Sequence, residues 1–181
     1  MNAVILLAAG RGNRMKNSIP DKILHEVEGC TLFAKSLLAF RKADVASLWI
    51  VTYRDESQKE RLSNDLLKVA PDEVEVILVE GGAERRHSVQ NALAKIPLER
   101  KIIFVHDCAR PMIQAKSLNR LLSVASETGA ATLAHPVRDT LKQTRDGQGP
   151  HPIADHTVDR SKIWAMETPQ TFQAGLLREG M

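Results

Sequence analysis

Ala3-Val4-Ile5-Leu6-Leu7-Ala8-Ala9-Gly10-Arg11-Gly12-Asn13-Arg14-Met15 is the stretch that decides the fold. An unbroken apolar run that ends in small residues and glycines reads as a buried strand delivering the chain into a tight turn. Short apolar, β-branched-rich runs return at 48–53, 74–79, 102–105 and 130–134, so the reading extends along the chain. Helical periods fill the gaps: Leu32, Phe33, Leu37, Leu38 and Phe40 behind the N-cap candidate Thr31, and Val89, Ala92, Leu93 and Ile96 behind a second cap candidate, Ser88. Residues 55–69 and 116–127 also carry a helical pattern. Strands separated by helices need right-handed crossovers, which put helices on both faces of a mostly parallel sheet. The expected class is therefore α/β, doubly wound and Rossmann-like. In such sheets ligands gather just past the carboxyl ends of the strands.

Composition narrows the partners. The chain has 181 residues, 43% hydrophobic and 26% charged, which suits one globular domain over 1–181. A net charge of +3 makes no broad basic field, and 4% aromatics leave few stacking platforms, so nucleic acid is not an expected partner. A small anionic substrate fits better. The two cysteines, Cys30 and Cys108, form no Cys-x-x-Cys pair, and a reducing, cytoplasmic setting is expected. The apolar run at 3–9 is far below the roughly 20 residues that span a bilayer, and no basic segment precedes it, so no membrane association is expected.

Residues 138–157 break the rhythm, because Asp146, Gly147, Gly149, Pro150 and Pro152 oppose a continuous helix or central strand. The segment reads as an excursion from the core, and composition leaves both a hairpin arm and a loop open.

Three strand ends carry chemistry. The turn Ala8-Ala9-Gly10-Arg11-Gly12-Asn13-Arg14 lacks the Gly-Lys-Ser/Thr of a Walker A loop, and Met15 occupies the third glycine's place in the dinucleotide fingerprint. What is left is a glycine-rich turn with Arg11, Arg14, Lys16 and Lys22 near it, where backbone donors and cations can converge on a polyphosphate; a plain strand-to-helix turn with solvated cations is the competing reading. Gly81-Gly82-Ala83-Glu84-Arg85-Arg86-His87-Ser88 ends a strand and opens a helix. Its glycines can expose backbone to a base, while Ser88 either caps the helix or meets an anion. The third is His106-Asp107-Cys108-Ala109-Arg110-Pro111, where Asp107 can hold a hard metal ion or serve as a turn residue paired with Arg110. His106 reads as a histidine that satisfies hydrogen bonds, and His151 and His156 lack the companions of a zinc site. No Gly-x-Ser-x-Gly elbow is present, which disfavours covalent catalysis.

Taken in order, Ala8-Ala9-Gly10-x-Gly12-x-Arg14-Met15, Gly81-Gly82-x-Glu84-Arg85-x-x-Ser88-Val89, His106-Asp107-x-Ala109-Arg110-Pro111, Pro136-Val137-x-Asp139-Thr140 and Thr168-Pro169-Gln170-x-Phe172 span nearly the whole chain. The set resembles the 2-C-methyl-D-erythritol 4-phosphate cytidylyltransferase family. That resemblance implies a nucleotidyltransferase that moves cytidylyl from CTP to methylerythritol phosphate and releases pyrophosphate in non-mevalonate isoprenoid synthesis, with Mg2+ as cofactor. It implies Arg14 and Lys22 as catalytic cations, and Ala8, Ala9, Gly10, Gly12, Gly81, Gly82, Arg85 and Ser88 as the CTP cradle. It also implies Asp107 as metal and substrate ligand, with Arg110, Thr140, Arg160 and Thr168 on the substrate side. The arm at 138–157 is expected to build a homodimer whose neighbouring subunit completes the site.

Two departures qualify the match. The family pattern has Pro-Lys where this chain has Pro20-Asp21-Lys22, and a one-residue loop insertion restores Lys22 to the role. Family members also continue past the Thr-Pro-Gln segment into an acidic motif and an Asn-Ile-Lys segment, which are not found before Met181. The expectation is that the C-terminal part of the family domain is absent. A cytidylyltransferase for another polyol phosphate, such as ribitol phosphate, and a non-catalytic nucleotide-binding or dimerisation module are the competing functions.

Overall fold

The computed structural model of the chain describes residues 1–10, 21–145 and 151–181. Two compact units emerge: Met1–Thr132 together with Thr168–Met181, and Leu133–Glu167. The first unit opens on β1 (Ala3–Leu7), followed by a small hairpin of β2 (Glu26–Val27) and β3 (Cys30–Thr31). The hairpin's turn residues Glu28 and Gly29 have φ of 57° and 72°, the left-handed backbone that a two-residue turn between twisted strands demands. Then come α1 (Leu32–Ala43), β4 (Leu48–Tyr53), α2 (Glu56–Val69), β5 (Glu75–Glu80), α3 (Arg85–Leu93), β6 (Ile102–Asp107) and α4 (Ala115–Thr128). The chain continues through β7 (Ala130–Pro136), β8 (Leu141–Thr144), β9 (Ala154–Val158), β10 (Trp164–Gln173) and α5 (Ala174–Glu179).

The central sheet runs β5-β4-β1-β6-β10-β7, with β5, β4, β1 and β6 parallel and β10 antiparallel to β6. The doubly wound, mostly parallel α/β architecture expected from the sequence is what the chain adopts. Winding starts at β1, runs outward through β4 to β5, then reverses to β6 on β1's other side. The reversal leaves a crevice at the carboxyl ends of β1 and β6, where such folds bind ligands. Register places Leu7 beside both Thr52 and Asp107, so the ends of three strands lie level.

Alternation along these strands fills two cores. Ala3, Ile5, Leu48, Ile50, Ile103 and Val105 face Val89, Ala92 and Leu93 of α3 and Ala174 and Leu177 of α5. Val4, Leu6, Trp49, Val51 and Phe104 are equally buried, as are Phe33, Leu37 and Phe40 of α1 and Leu118 and Leu121 of α4. Phe40 meets Phe104 edge-on, with ring centroids 6.2 Å apart.

Of the two N-cap candidates Thr31 caps its helix and Ser88 does not, while α2 is capped by Asp55, which is not one of those candidates. The Thr31 hydroxyl accepts from Ala34 N at 3.0 Å, and the Asp55 carboxylate accepts from Gln58 N at 2.8 Å. Ser88 is the correction: α3 begins at Arg85 behind Glu84, and Ser88 lies inside its first turn. The glycine pair lets the chain enter the helix earlier than the apolar period alone suggests. A second difference is β10, a ten-residue strand that the sequence pattern did not reveal.

The unit Leu133–Glu167 holds β8 and β9, paired antiparallel with a register shift at Gln143/Thr144. Of the two readings that composition allowed for this segment, paired strands are the one found. Residues 146–150, between those strands, lie outside the described residues.

Candidate active site

Ala8 sits where β1 gives way to the glycine-rich turn, and both its backbone groups are tied. Its N–H donates to the buried Thr52 hydroxyl at 3.1 Å, and its carbonyl accepts from Gln58 Nε2 at 3.2 Å. Ala9 and Gly10 follow at increasing exposure. Gly12 and Arg14, both expected in the site, lie outside the described residues.

The β5 end closes against this strand from two positions away in the sheet. Gly81 N donates to Tyr53 O at 2.8 Å, and a Cβ at Gly81 would lie 2.4 Å from Ala9 Cβ. Glycine is therefore what permits the two strand ends to touch. A Cβ at Gly82 would stand 2.2 Å from His87 Cβ, so this glycine also allows a close passage under α3. Ser88, 6% exposed, accepts from Gly82 N at 3.0 Å and donates to Glu84 O at 3.3 Å. Its hydroxyl thus shapes the Gly-Gly turn from within the helix.

At the end of β6, Asp107 receives Arg85 Nε on Oδ1 at 3.0 Å, and Arg110 Nε stands 3.9 Å from Oδ2. Arg85 also donates through Nη2 to Gln170 Oε1 at 3.1 Å, so one guanidinium joins the start of α3, the end of β6 and the strand β10. Asp107 N–H donates to Thr168 Oγ1 at 3.2 Å, and that hydroxyl lies 3.1 Å from His106 Nδ1. Burial pushes the His106 imidazole down from its ordinary 6.5 to about 4, keeping it neutral. Burial likewise pushes the Cys108 thiol up, which leaves it unreactive in the interior.

Lys22 is exposed, while its neighbour Asp21 is turned inward against Arg54 and Gln58. The chain thus brings Ala8, Ala9, Gly81, Gly82, Arg85, Ser88, Asp107, Arg110 and Thr168 to one edge of one sheet. Thr140 and Arg160 belong to the other unit, where the Arg160 guanidinium donates to Arg138 O.

Sequence reading missed Gln170, Gln58 and Arg54 as members of this edge. A signal existed for Gln58: Asp55-Glu56-Ser57-Gln58 has the spacing of a capping box, which marks residue 58 as a side chain that folds back over its helix start.

No cluster of three metal-ligating side chains occurs among the described residues. Asp107 offers a single carboxylate with a side chain 31% exposed. That donor set fits Mg2+, which takes most of its ligands from water and substrate phosphates and needs only one or two carboxylates.

Comparison with known proteins gives a consistent picture. The family model described as 2-C-methyl-D-erythritol 4-phosphate cytidylyltransferase matches residues 2–181. A protein of that name from Bacillus velezensis is 37% identical over 175 residues, covering 97% of this chain and 72% of the relative. The crystal structure of 2-C-methyl-D-erythritol 4-phosphate cytidylyltransferase from Thermus thermophilus superposes with a TM-score of 0.71 at 29% identity, covering 99% of this chain and 74% of that one. The 4-diphosphocytidyl-2C-methyl-D-erythritol synthase structure from Anaerococcus prevotii reaches a TM-score of 0.80 at 20% identity, with 99% and 74% covered, and shares the fold.

Proposed function

The chain belongs to the 2-C-methyl-D-erythritol 4-phosphate cytidylyltransferase family, and on that premise we propose how its strand-end crevice joins CTP to methylerythritol phosphate. The activity is cytidylyl transfer in non-mevalonate isoprenoid synthesis. An oxygen of the sugar phosphate attacks the α-phosphorus of CTP, a new P–O bond forms, and the bond to the β-phosphate breaks to release pyrophosphate. The attacking phosphate is already ionised, so no side chain has to remove a proton. The protein's work is to align two anions and neutralise the charge that accumulates between them.

The observation that supports this reading is the close approach of Gly81 to Ala9, which only glycine permits and which sets the end of β5 against the end of β1. Gly81, Gly82, Arg85 and Ser88 then hold the cytidine end, and Ala8, Ala9 and Gly10, with Gly12 as the further residue assigned to this role, serve the triphosphate. Arg14 and Lys22 are the cations of the transition state; the inward turn of Asp21 supports Lys22 as the residue offered to substrate. Removing such a preorganised charge commonly lowers kcat on the order of 100–1,000-fold. Arg110, Thr140, Arg160 and Thr168 serve the sugar phosphate. Asp107 would hold Mg2+, which supplies charge neutralisation at the phosphate oxygens when bound.

The protein acts as a cytoplasmic homodimer in this reading. Its two cysteines are free, and no helix among the described residues is long and apolar enough to cross a membrane. Exposed Ile153, Trp164 and Met166, all in the unit Leu133–Glu167, supply apolar surface for a second copy. The test is pyrophosphate release with CTP, Mg2+ and a panel of polyol phosphates. Turnover is expected with methylerythritol phosphate; release only with ribitol phosphate would reassign the acceptor, and CTP binding with no release would identify a binding module.

A further inference from the structure

Gln58 is 2% exposed, and its amide joins two points of the chain that are distant in sequence. Nε2 donates one hydrogen to Ala8 O at 3.2 Å and the other to Asp21 Oδ2 at 2.7 Å, while Oε1 accepts from Arg54 N at 2.7 Å. The alternative amide orientation would turn Oε1 toward a carbonyl and a carboxylate and Nε2 toward an N–H, so the partners fix its sense. Asp21 is anchored further by Arg54 Nη2 at 3.2 Å and by Ile23 N on Oδ1 at 3.2 Å, with its side chain 7% exposed. The chain leaves the sheet at Ala8 and is fixed again at Asp21, and both points are held by the same amide.

We propose that Gln58, with Asp21 and Arg54, is a positioning unit for nucleotidyl transfer: it fixes Ala8, at the edge of the nucleotide crevice, in register with Lys22, the residue that follows Asp21. This rests on the cytidylyltransferase reading above. Apolar packing at this place would fill the same volume without setting a distance. Paired polar groups set one, because each donor meets a single acceptor at a defined separation. Charge reinforces it, since the Asp21 carboxylate is held by a guanidinium and two N–H groups with its side chain 7% exposed.

The experiment compares the wild-type full chain with Gln58→Leu, Gln58→Glu, Asp21→Asn and the pair Gln58→Glu with Asp21→Asn. Pyrophosphate release is measured per folded molecule, with KM for each substrate determined separately and folding followed by thermal unfolding. For Gln58→Leu, kcat should fall roughly 10–100-fold and KM for CTP should rise, as expected for ångström-scale misplacement, while KM for methylerythritol phosphate stays within about twofold. Gln58→Glu sets a carboxylate against both Asp21 and Ala8 O; adding Asp21→Asn restores a donor opposite an acceptor at the Asp21 contact alone and should recover part of the lost kcat, about tenfold. A folded Gln58→Leu protein with kcat within about twofold of wild type would overturn the proposal. So would equal losses in Gln58→Glu and in the pair, a comparison that decides the matter even when Gln58→Leu does not fold. Absence of release by the wild-type chain would overturn the functional reading itself, which separates the two failures.

Discussion

A methyl group at position 81 would stand 2.4 Å from Ala9 Cβ, 3.1 Å from Ser88 Oγ and 3.3 Å from Tyr53 O, with backbone on one side and no flexible tip to move aside. Overpacking of this kind costs roughly 1–3 kcal/mol. Gly81→Ala should therefore lower the unfolding temperature by a few degrees and raise KM for CTP by about tenfold, equivalent to about 1.4 kcal/mol; an unaltered KM in steady-state assays would show that the contact is not part of the nucleotide site. His106 makes a different prediction. Its pKa is about 4 when folded and 6.5 as the reference value, so the unfolded chain takes up a proton first as pH falls. Stability is fully present above pH 6.5 and is lost between 6.5 and 4, by about 3 kcal/mol for a shift of this size. His106→Asn should flatten this part of the pH profile in denaturant titrations. Arg160→Ala should raise KM for methylerythritol phosphate tenfold or so while CTP affinity, read by calorimetry, stays within about twofold, as loss of a charge-assisted contact to one substrate requires.

Elements differ in how plainly the sequence announces them. Three of the four parallel strands, β1, β4 and β6, were legible because each is buried on both faces and reads as a continuous apolar run, as in Leu48–Tyr53, while the half-buried edge strand β5 still carries the apolar run Val76-Ile77-Leu78-Val79. Strand β10 was hidden for the opposite reason: Glu167 and Pro169 interrupt its middle, and its pairing with β6 starts only at Gln170. A proline normally argues against a central strand, and here it sits just before the ladder begins. The site shows the same division. Glycines, Asp107 and Arg85 carry local signatures, whereas Gln58 and Gln170 acquire their roles only when the sheet brings partners from 50 and 85 residues away. Helix α2 offers a direct test of this level, since its N-cap holds the turn that presents Gln58. Asp55→Ala should cost about 1 kcal/mol in denaturant unfolding, and no loss would mean that Arg54 and Gln58 hold the helix start without it.

For the whole molecule, winding outward from β1 and then reversing to β6 explains why residues from four separate segments meet at one edge. The unit Leu133–Glu167 presents Trp164 and Met166 on alternate residues of the same strand, each 58% exposed. If a second copy covers them, Trp164→Glu should shift the sedimenting species from dimer to monomer at micromolar concentration, because a charge buried without a partner opposes association. A monomeric wild type would discard that role for the surface.

The placement of β10 between β6 and β7 also bears on how the molecule is made. Ribosomes deliver β6 about sixty residues before its neighbour on that flank, since Ile102–Asp107 must wait for Gln170–Gln173. Until that segment emerges, β6 shows a row of open amides and carbonyls on a strand that is otherwise Ile-Ile-Phe-Val, the kind of edge that recruits other nascent chains. Polypeptides that stall before residue 168 are thus the ones expected to call on chaperones, and any fusion or interruption introduced there risks aggregation more than it risks the crevice itself.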